Sequence, residues 1–255
     1  RLNEIEFESY VEYEEGLKAY IQTDLLNKES VKEILSGISE LTEVSFTMNH
    51  LETKNWNEEW ENNYSPVVIN DSCVIRAHFH KSVADMKYEI VITPKMSFGT
   101  GHHETTSLMM NHMFDLDFNQ KSVLDVGSGT GVLSILASKL GAVNLVAVDC
   151  NKWAFENSKE NAQLNHITDI KFIHGDINTV KNVRFDIVLA NINRNSILDA
   201  LDIYVDMMND SSDILLSGFL EQDNNLILKK TKQLGLELVV VQNKKIWQML
   251  HLRRG

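Results

Sequence analysis

From residue 122 onward, short apolar runs alternate with stretches in which apolar residues recur at helical spacing. The apolar runs predict strands at 122–126, 144–149, 170–174, 185–190 and 213–217, with helices near 131–140, 152–165, 196–208 and 221–234. Residues 236–242 and 245–252 have strand patterns with no helix between them, which predicts an antiparallel hairpin at the sheet edge. The alternation indicates an α/β, Rossmann-like fold with a mostly parallel seven-stranded sheet and helices on both faces.

The N-terminal part of the chain has a different pattern. Strands near 4–12, 16–22 and 43–48 and a helix near 29–40 predict a small α+β domain over residues 1–50. The polar segment that follows has Trp56 and Trp60 four residues apart, on one face of a helix, and we interpret 51–65 as a linker helix. Strands near 66–70, 73–79 and 88–93 then lead into a larger domain, 66–255.

The composition and charge limit the classes of protein to which this chain can belong. The 255 residues are 43% hydrophobic and no apolar run has transmembrane length, whereas a net charge of −12 disfavours contact with nucleic-acid backbones. Cys73 and Cys150 give neither a disulfide framework nor zinc spacing, and we expect both to be buried in a reducing cytoplasm. The chain begins Arg1-Leu2-Asn3-Glu4, without a secretory signal, and we expect a shortened N-terminus. We therefore expect a cytoplasmic monomer with no membrane partner, no metal and no direct nucleic-acid binding.

A glycine-rich turn follows the first strand of the parallel sheet. Gly127, Gly129 and Gly131 lie between the strand and the helix that comes next, and Asp149 ends the following strand. Glycines let a backbone approach a ligand closely, and a carboxylate at the next strand end can accept hydrogen bonds from both ribose hydroxyls. The pattern is typical of a site for an adenosine-containing cofactor.

The spacing of this turn separates two classes of cofactor. Dinucleotide sites have G-x-G-x-x-G, whereas this turn is G-x-G-x-G with Asp125 at the end of the strand. A pyrophosphate favours a helix N-terminus without a nearby carboxylate. S-adenosylmethionine has no phosphate and carries an ammonium and a sulfonium, so Asp125 favours it. A nicotinamide or flavin dinucleotide, or a turn that binds no ligand, is the alternative.

Polar residues at other strand and helix ends are candidates for the same site. The segment 98–106 has two glycines, three threonines and two histidines before a helix predicted near 104–114, and we interpret it as a loop that covers the cofactor. Asp176, after the third strand, would reach the adenine amino group, or be a turn acid. Asn191, at the end of the fourth, would accept a hydrogen bond from a target nitrogen and direct its lone pair, or be a turn residue.

These segments together resemble the PrmA family, which methylates the eleventh protein of the large ribosomal subunit. The resemblance covers nearly the whole chain. Its most specific part is Pro94-Lys95-Met96-Ser97-Phe98-Gly99-Thr100-Gly101-His102-His103-Glu104-Thr105-Thr106. It also includes Asn55–Trp60, Leu124–Gly131, Ala190–Ile192, Ser217–Leu220 and Trp247.

The resemblance implies a class I S-adenosylmethionine-dependent methyltransferase that acts on lysine side-chain and N-terminal amines of that ribosomal protein. The candidate cofactor residues are then Thr106, Gly127, Asp149 and Asn191 from the family, with Phe98, Asp125, Gly129 and Asp176 beside them, and Asn191 is also the catalytic candidate. The domain 1–50 would recognise the ribosomal protein, and the linker would let several amines be presented in turn.

Some points stay open in the sequence. His102 and His103 are candidates for a general base, and neither has metal-ligand spacing. The acceptor could instead be a small molecule or an RNA base, or the chain could be a non-catalytic binding module. Glu104 stands where the family usually has proline, Lys95 where it has glycine, and Asn193-Arg194 where it has small or apolar residues, which puts the preference among amines in question.

Overall fold

The computed structural model describes residues 7–13, 16–39, 45–49, 64–95 and 97–255. The chain divides into two compact units, Arg1–Glu59 and Trp60–Gly255. The linker helix predicted at 51–65 falls almost entirely on residues 50–63, which lie outside the described part. The boundaries of the predicted domains therefore stay predictions.

The described part of the first unit has a hairpin followed by a helix. β1 (Ser9–Tyr13) and β2 (Gly16–Tyr20) pair antiparallel, and α1 spans Lys28–Ser39. The strand predicted near 43–48 is wrong where it can be checked, since residues 45–49 are not in a strand. Within the described residues, β1 and β2 pair only with each other, so residues 45–49 have no neighbouring strand with which to pair.

The second unit follows the predicted alternation of strands and helices. Its strands are β3 (Val67–Asn70), β4 (Cys73–Ala77), β5 (Tyr88–Ile92), β6 (Ser122–Val126), β7 (Val143–Asp149), β8 (Ile170–His174), β9 (Phe185–Asn191), β10 (Met208–Leu220), β11 (Leu236–Lys244) and β12 (Trp247–Arg254). Its helices are α2 (Glu104–Met113), α3 (Val132–Lys139), α4 (Lys152–Leu164), α5 (Arg194–Asp206) and α6 (Asn224–Gln233). Most predicted bounds agree to within a few residues, but β10 extends beyond 213–217 at both ends.

Seven strands form the main sheet in the order β11-β12-β10-β9-β6-β7-β8. β10, β9, β6, β7 and β8 are parallel, whereas β12 runs antiparallel to both β10 and β11. The predicted mostly parallel sheet with an antiparallel terminal hairpin is confirmed. The direction of winding reverses at β6, between β9 and β7, and such a switch point opens a crevice for ligands at the carboxyl ends of the strands.

Helices cover both faces of this sheet. Met109 of α2 and Leu136 of α3 belong to the apolar core on one face, and Ile227 of α6 to the core on the other. Successive residues of β6 face opposite sides, so Val123 enters the first core and Leu124 the second. None of the described helices has the length and apolar character needed to cross a membrane.

A separate three-stranded sheet precedes α2. Its order is β3-β4-β5, with β3 antiparallel and β5 parallel to β4. The edge of β5 that faces away from β4 is covered by α4. The side chain of Asn165, which caps the C-terminus of α4, accepts a hydrogen bond from the N–H of Val91 at 3.0 Å. Covering an edge in this way prevents unwanted pairing with other chains.

Candidate active site

The turn after β6, residues 127–131, is joined to the end of β7 through a carboxylate. We call this segment the glycine turn. The N–H of Gly129 donates to Oδ2 of Asp149 at 2.9 Å, and the N–H of Asn151 donates to Oδ1 at 2.8 Å. Each carboxylate oxygen has two acceptor positions, so Asp149 keeps one on each oxygen for a ligand.

Gly129 is a position where the chain requires glycine. Its φ of 57° is in the left-handed region, and a Cβ there would lie 2.2 Å from the carbonyl oxygen of Phe98. That oxygen accepts the N–H of Thr130 at 2.9 Å, and Oγ1 of Thr130 donates to Gly99 O at 2.6 Å. The glycine spacing predicts that a ligand approaches the backbone closely here. The structure adds a second reason, because the loop at Phe98 packs directly on the turn.

A cavity of about 760 Å³ opens at the carboxyl ends of β6 to β9, within the range of about 300–1,000 Å³ typical of small-molecule sites. Six predicted site residues line it, namely Phe98, Gly127, Gly129, Asp149, Asp176 and Asn191. Among the described residues, its lining has three carboxylates, Asp149, Asp176 and Asp199, and neither lysine nor arginine. Such a lining favours a ligand with positive charge.

Asn191, the last residue of β9, lines the cavity, and its side-chain amide is only partly hydrogen-bonded within the described residues. Its Nδ2 donates to Oγ1 of Thr106 at 3.3 Å, and its Oδ1 is buried without a hydrogen-bond partner among the described residues. Thr106 is 0% exposed and holds the amide from the first turn of α2. An unpaired buried acceptor is costly, so Oδ1 is suited to accept from a ligand. The predicted contact of Thr106 with a cofactor stays a prediction.

The loop after Asn191 is fixed by β10. The N–H of Ile192 donates to Ser217 O at 3.1 Å. Gly218 has φ of 96°, and a Cβ there would lie 2.2 Å from the carbonyl oxygen of Ile192. The backbone that carries Asn191 therefore packs against β10 where a side chain would not fit.

Asp125 lies behind the glycine turn. Its carboxylate is 1% exposed, and Oδ2 accepts from Oγ and N of Ser134 at 2.6 and 3.2 Å. Burial raises the pKa of the Asp125 carboxyl to about 6. The sequence predicts a cofactor contact for Asp125, whereas in the structure its side-chain hydrogen bonds go to the first turn of α3. A direct contact with a cofactor stays a prediction.

Three rings form one side of the cavity. The centroid of His103 lies 5.0 Å from that of Phe98 and 4.7 Å from that of Trp247. The side chain of His103 also caps α2. His102 instead packs against Tyr64, with centroids 4.8 Å apart. Of the two candidates for a general base, the structure places His103 at the cavity.

Sequence reasoning missed several lining residues. Ser196, Asp199 and Ala200 lie on one face of α5, and their spacing of three and four residues was the available signal.

Cys150 is exposed, so the expectation that both cysteines are buried is wrong. It follows Asp149, where the chain leaves the sheet. Within the described residues, no three His, Cys, Asp or Glu side chains are grouped to hold a metal ion.

Comparison with known proteins identifies the relatives of the chain. Residues 3–255 match the protein family described as ribosomal protein L11 methyltransferase (PrmA). The chain belongs to this family. A ribosomal protein L11 methyltransferase of Phocaeicola vulgatus is 46% identical over 247 residues, which cover 96% of this chain and 88% of that protein. Another, of Porphyromonas gingivalis, is 40% identical over 259 residues, covering 98% and 87%.

A solved structure of a PrmA relative has the same fold. The ribosomal protein L11 methylase from Lactobacillus delbrueckii subsp. bulgaricus is 25% identical, with a TM-score of 0.70, and covers 75% of this chain and 100% of that one. This member of the PrmA family is thus a methyltransferase with the class I S-adenosylmethionine-dependent fold that the sequence predicted.

The departures from the PrmA pattern have partners of their own. Glu104 pairs with Lys245 of the terminal hairpin, and Lys95 pairs with Glu160 of α4. The hydrogen bond from Lys245 lowers the pKa of the Glu104 carboxyl. Lys95 therefore connects the loop before α2 to α4, and Glu104 connects the start of α2 to the terminal hairpin.

Asn193 and Arg194 have separate roles in the structure. Asn193 lines the cavity and caps α5, since its side chain accepts from Ser196 N at 3.0 Å. Arg194 donates to Oδ1 of Asp223 at 2.7 Å. Arg194 thus ties the start of α5 to the turn after β10. Of these two residues, Asn193 is the one in the cavity lining.

Proposed function

We propose that this protein transfers methyl groups from S-adenosylmethionine to lysine side-chain and N-terminal amines of ribosomal protein L11 in the cytoplasm. Membership of the PrmA family supports the acceptor, because its relatives are named for that activity. The observation that carries the chemistry is the buried Oδ1 of Asn191. It is an acceptor without a partner among the described residues, on a side chain that lines the cavity.

The cavity lining fits S-adenosylmethionine in charge and in hydrogen-bonding capacity. Asp149 has a free acceptor position on each oxygen, which suits two ribose hydroxyls. One oxygen of Asp176 accepts from Asn178 N at 2.9 Å, and the other is suited to the adenine amino group. These carboxylates also offset the ammonium and sulfonium charges. When bound, the cofactor supplies an electrophilic methyl group.

Asn191 positions the acceptor amine in this proposal. Its Oδ1 accepts an N–H of the amine and so directs the nitrogen lone pair, while Thr106 fixes the other end of the amide. Positioning of this kind supplies most of the rate in a displacement that needs little covalent help, and an error of 1 Å can cost about 100-fold.

The amine must lose a proton before it can react. At pH 7 deprotonation costs about 4.6 kcal/mol for a lysine with a pKa of about 10.4, and about 1 kcal/mol for an N-terminal amine. Transfer from water to the side of the cavity formed by Phe98 and Trp247 disfavours the ammonium form and lowers this cost, whereas the carboxylates elsewhere in the lining oppose that effect. His103, also in the lining, is the candidate to accept the proton.

The N-terminal part supplies substrate recognition in this proposal. Residues 1–50 bind the ribosomal protein, the linker at 51–65 lets different amines reach the cavity, and 66–255 catalyses transfer in a monomer. The net charge of −12 supports a basic protein partner over direct binding of nucleic acid. Removing residues 1–50 should abolish methylation of the protein while cofactor binding persists, and a truncated enzyme with full protein activity would contradict the assignment.

Labelled S-adenosylmethionine and purified ribosomal protein L11 test the function directly. We expect label on lysine and N-terminal amines, located by mass spectrometry. Asn191→Ala should lose transfer by about 100-fold even at saturating cofactor, whereas Asn225→Ala, at an exposed position of α6, should leave transfer unchanged. No label on the protein, or label on RNA instead, would overturn the proposal.

A further inference from the structure

Two buried asparagines on one face of α4 and a third that caps its C-terminus form a row, which we call the asparagine ladder. Asn157, Asn161 and Asn165 are 1%, 0% and 8% exposed, and residues four apart share one face of a helix. This face meets the edge of β5 that faces away from β4. Buried amides require partners for both their donor and their acceptor groups, so three in a row need a matching array.

The array is the main chain of β5 and its continuation. Oδ1 of Asn165 accepts from Val91 N at 3.0 Å, and its Nδ2 donates to Val91 O at 2.6 Å. Oδ1 of Asn161 accepts from Thr93 N at 2.8 Å, and Nδ2 of Asn157 donates to Thr93 O at 3.2 Å. The side-chain amides thus bond to this edge as a neighbouring strand would.

The ladder is incomplete at Asn157. Its Oδ1 is buried and has no hydrogen-bond partner among the described residues. Four residues along a helix advance about 6.0 Å, and two residues along an extended chain advance about 6.6 Å. Asn161 accepts the N–H of Thr93. Asn157 lies four residues before Asn161 in α4, and Lys95 lies two residues after Thr93 in the extended chain. Because these two spacings are similar, Oδ1 of Asn157 is matched with the N–H of Lys95.

The incomplete step lies where the chain enters the cavity wall. Shortly after Lys95 come Ser97 and Phe98, which both line the cavity. The carbonyl oxygen of Phe98 accepts from Thr130 N at 2.9 Å, and the carbonyl oxygen of Thr130 accepts from Nδ2 of Asn161 at 2.9 Å. One chain of hydrogen bonds therefore connects the ladder, the glycine turn and the loop at Phe98.

We propose that Asn157 is a positioning residue whose Oδ1 receives the main-chain N–H of Lys95 when cofactor is bound. The bond completes the ladder and fixes Ser97 and Phe98 against the ligand. A ligand that contacts these two residues favours the completed ladder, and by linkage the completed ladder raises the affinity for that ligand. The inference rests on the proposed function, since it requires the cofactor to occupy this cavity.

Hydrogen exchange of single main-chain amides, with and without S-adenosylhomocysteine, tests the new bond. We expect the Lys95 amide to exchange at least about tenfold more slowly in the saturated protein. The Thr93 amide, already bonded to Asn161, should be protected in both states and serves as the internal control. In Asn157→Leu the Lys95 amide should gain no protection from the ligand.

Calorimetry of the same samples distinguishes failure of the proposed role of Asn157 from failure of the proposed function. Saturation with S-adenosylhomocysteine and an unchanged exchange rate at Lys95 would overturn the role of Asn157 and leave the proposed function intact. Absence of binding would count against the proposed function itself.

Two substitutions at Lys95 give an independent test. Lys95→Pro removes the N–H, whereas Lys95→Ala keeps it and removes only the ion pair with Glu160. We expect Lys95→Ala to bind S-adenosylhomocysteine at least about fivefold more tightly than Lys95→Pro, provided that both unfold cooperatively. Equal affinities of the two variants would overturn the inference.

Discussion

Replacing Asp125 with asparagine should stabilise the protein increasingly as the pH rises. The carboxyl is 1% exposed, and burial raises its pKa to about 6, against about 3.9 in an unfolded chain. Near neutral pH the native state therefore contains an ionised carboxylate that would be better solvated in the unfolded state. The difference of about two pH units corresponds to about 3 kcal/mol.

The direction of the effect follows from proton binding. Native Asp125 holds its proton more tightly than the unfolded chain does, so its contribution to stability is present below about pH 4 and is lost as the pH rises through about 6. Asparagine does not titrate, and its Oδ1 can still accept from N and Oγ of Ser134. The unfolding free energy of Asp125→Asn minus that of the wild type should rise by about 2 kcal/mol between about pH 4.5 and 7.5.

Urea unfolding at several pH values in this range measures that difference. Asp186→Asn is a control that should show no such rise between about pH 4.5 and 7.5. Burial raises the pKa of Asp186, but hydrogen bonds from Ser122 and Asn209 outweigh it and the net pKa is lowered. The stability that this carboxylate contributes is already present above about pH 4, so the cost of removing it should stay nearly constant across this range and fall only at lower pH. A difference for Asp125→Asn that stays constant with pH would refute the reasoning, because the carboxyl would then ionise equally easily in both states.

Gly129→Ala should cost about 2 kcal/mol more stability than Gly235→Ala in thermal unfolding. Both glycines have positive φ, but a Cβ on Gly129 would lie 2.2 Å from the carbonyl oxygen of Phe98, whereas a Cβ on Gly235 would have no atom of the described residues within 4 Å. Equal losses of stability in the two variants would show that the loop at Phe98 moves to accommodate the added Cβ. Arg194→Ala should lower the unfolding free energy by about 1 kcal/mol, since it leaves the Asp223 carboxylate, 11% exposed, without its guanidinium. Arg194→Lys should recover part of that loss, and no recovery would argue for packing instead of charge. Methylation of lysine should rise about tenfold per pH unit between about pH 7 and 9, with the neutral fraction of the amine, while methylation of an N-terminal amine levels off near pH 8. Initial rates by mass spectrometry test this, and a lysine rate independent of pH would contradict a requirement for free neutral amine.

The main sheet could be predicted from the sequence because its buried strands are short, apolar and bounded by glycine or acidic residues. β6 has the predicted bounds, 122–126, and Asp149 ends β7 as expected. Parallel strands bring their carboxyl ends to one edge, so Asp176 and Asn191 could be placed beside the glycine turn without any knowledge of distances.

Contacts between segments distant in sequence could not be predicted in the same way. The local pattern gives no sign that Phe98 packs on Gly129, or that Asp125 turns to Ser134 and away from the cavity. The spacing of Asn157, Asn161 and Asn165 was visible, but its meaning depends on the strand edge that α4 covers. The three-stranded sheet was predicted as strands and not as a separate layer, because pairing is a tertiary property.

β12 follows β10 and β11 in the chain but lies between them in the sheet. During biosynthesis both neighbours are therefore made before the strand that joins them. β12 also brings Trp247 to the cavity and buries Met249 and Leu250. A nascent chain without it would have two unpaired strand edges and an unfinished cavity, a state prone to aggregation. The catalytic unit should accordingly become competent in one late step of folding, when β12 inserts.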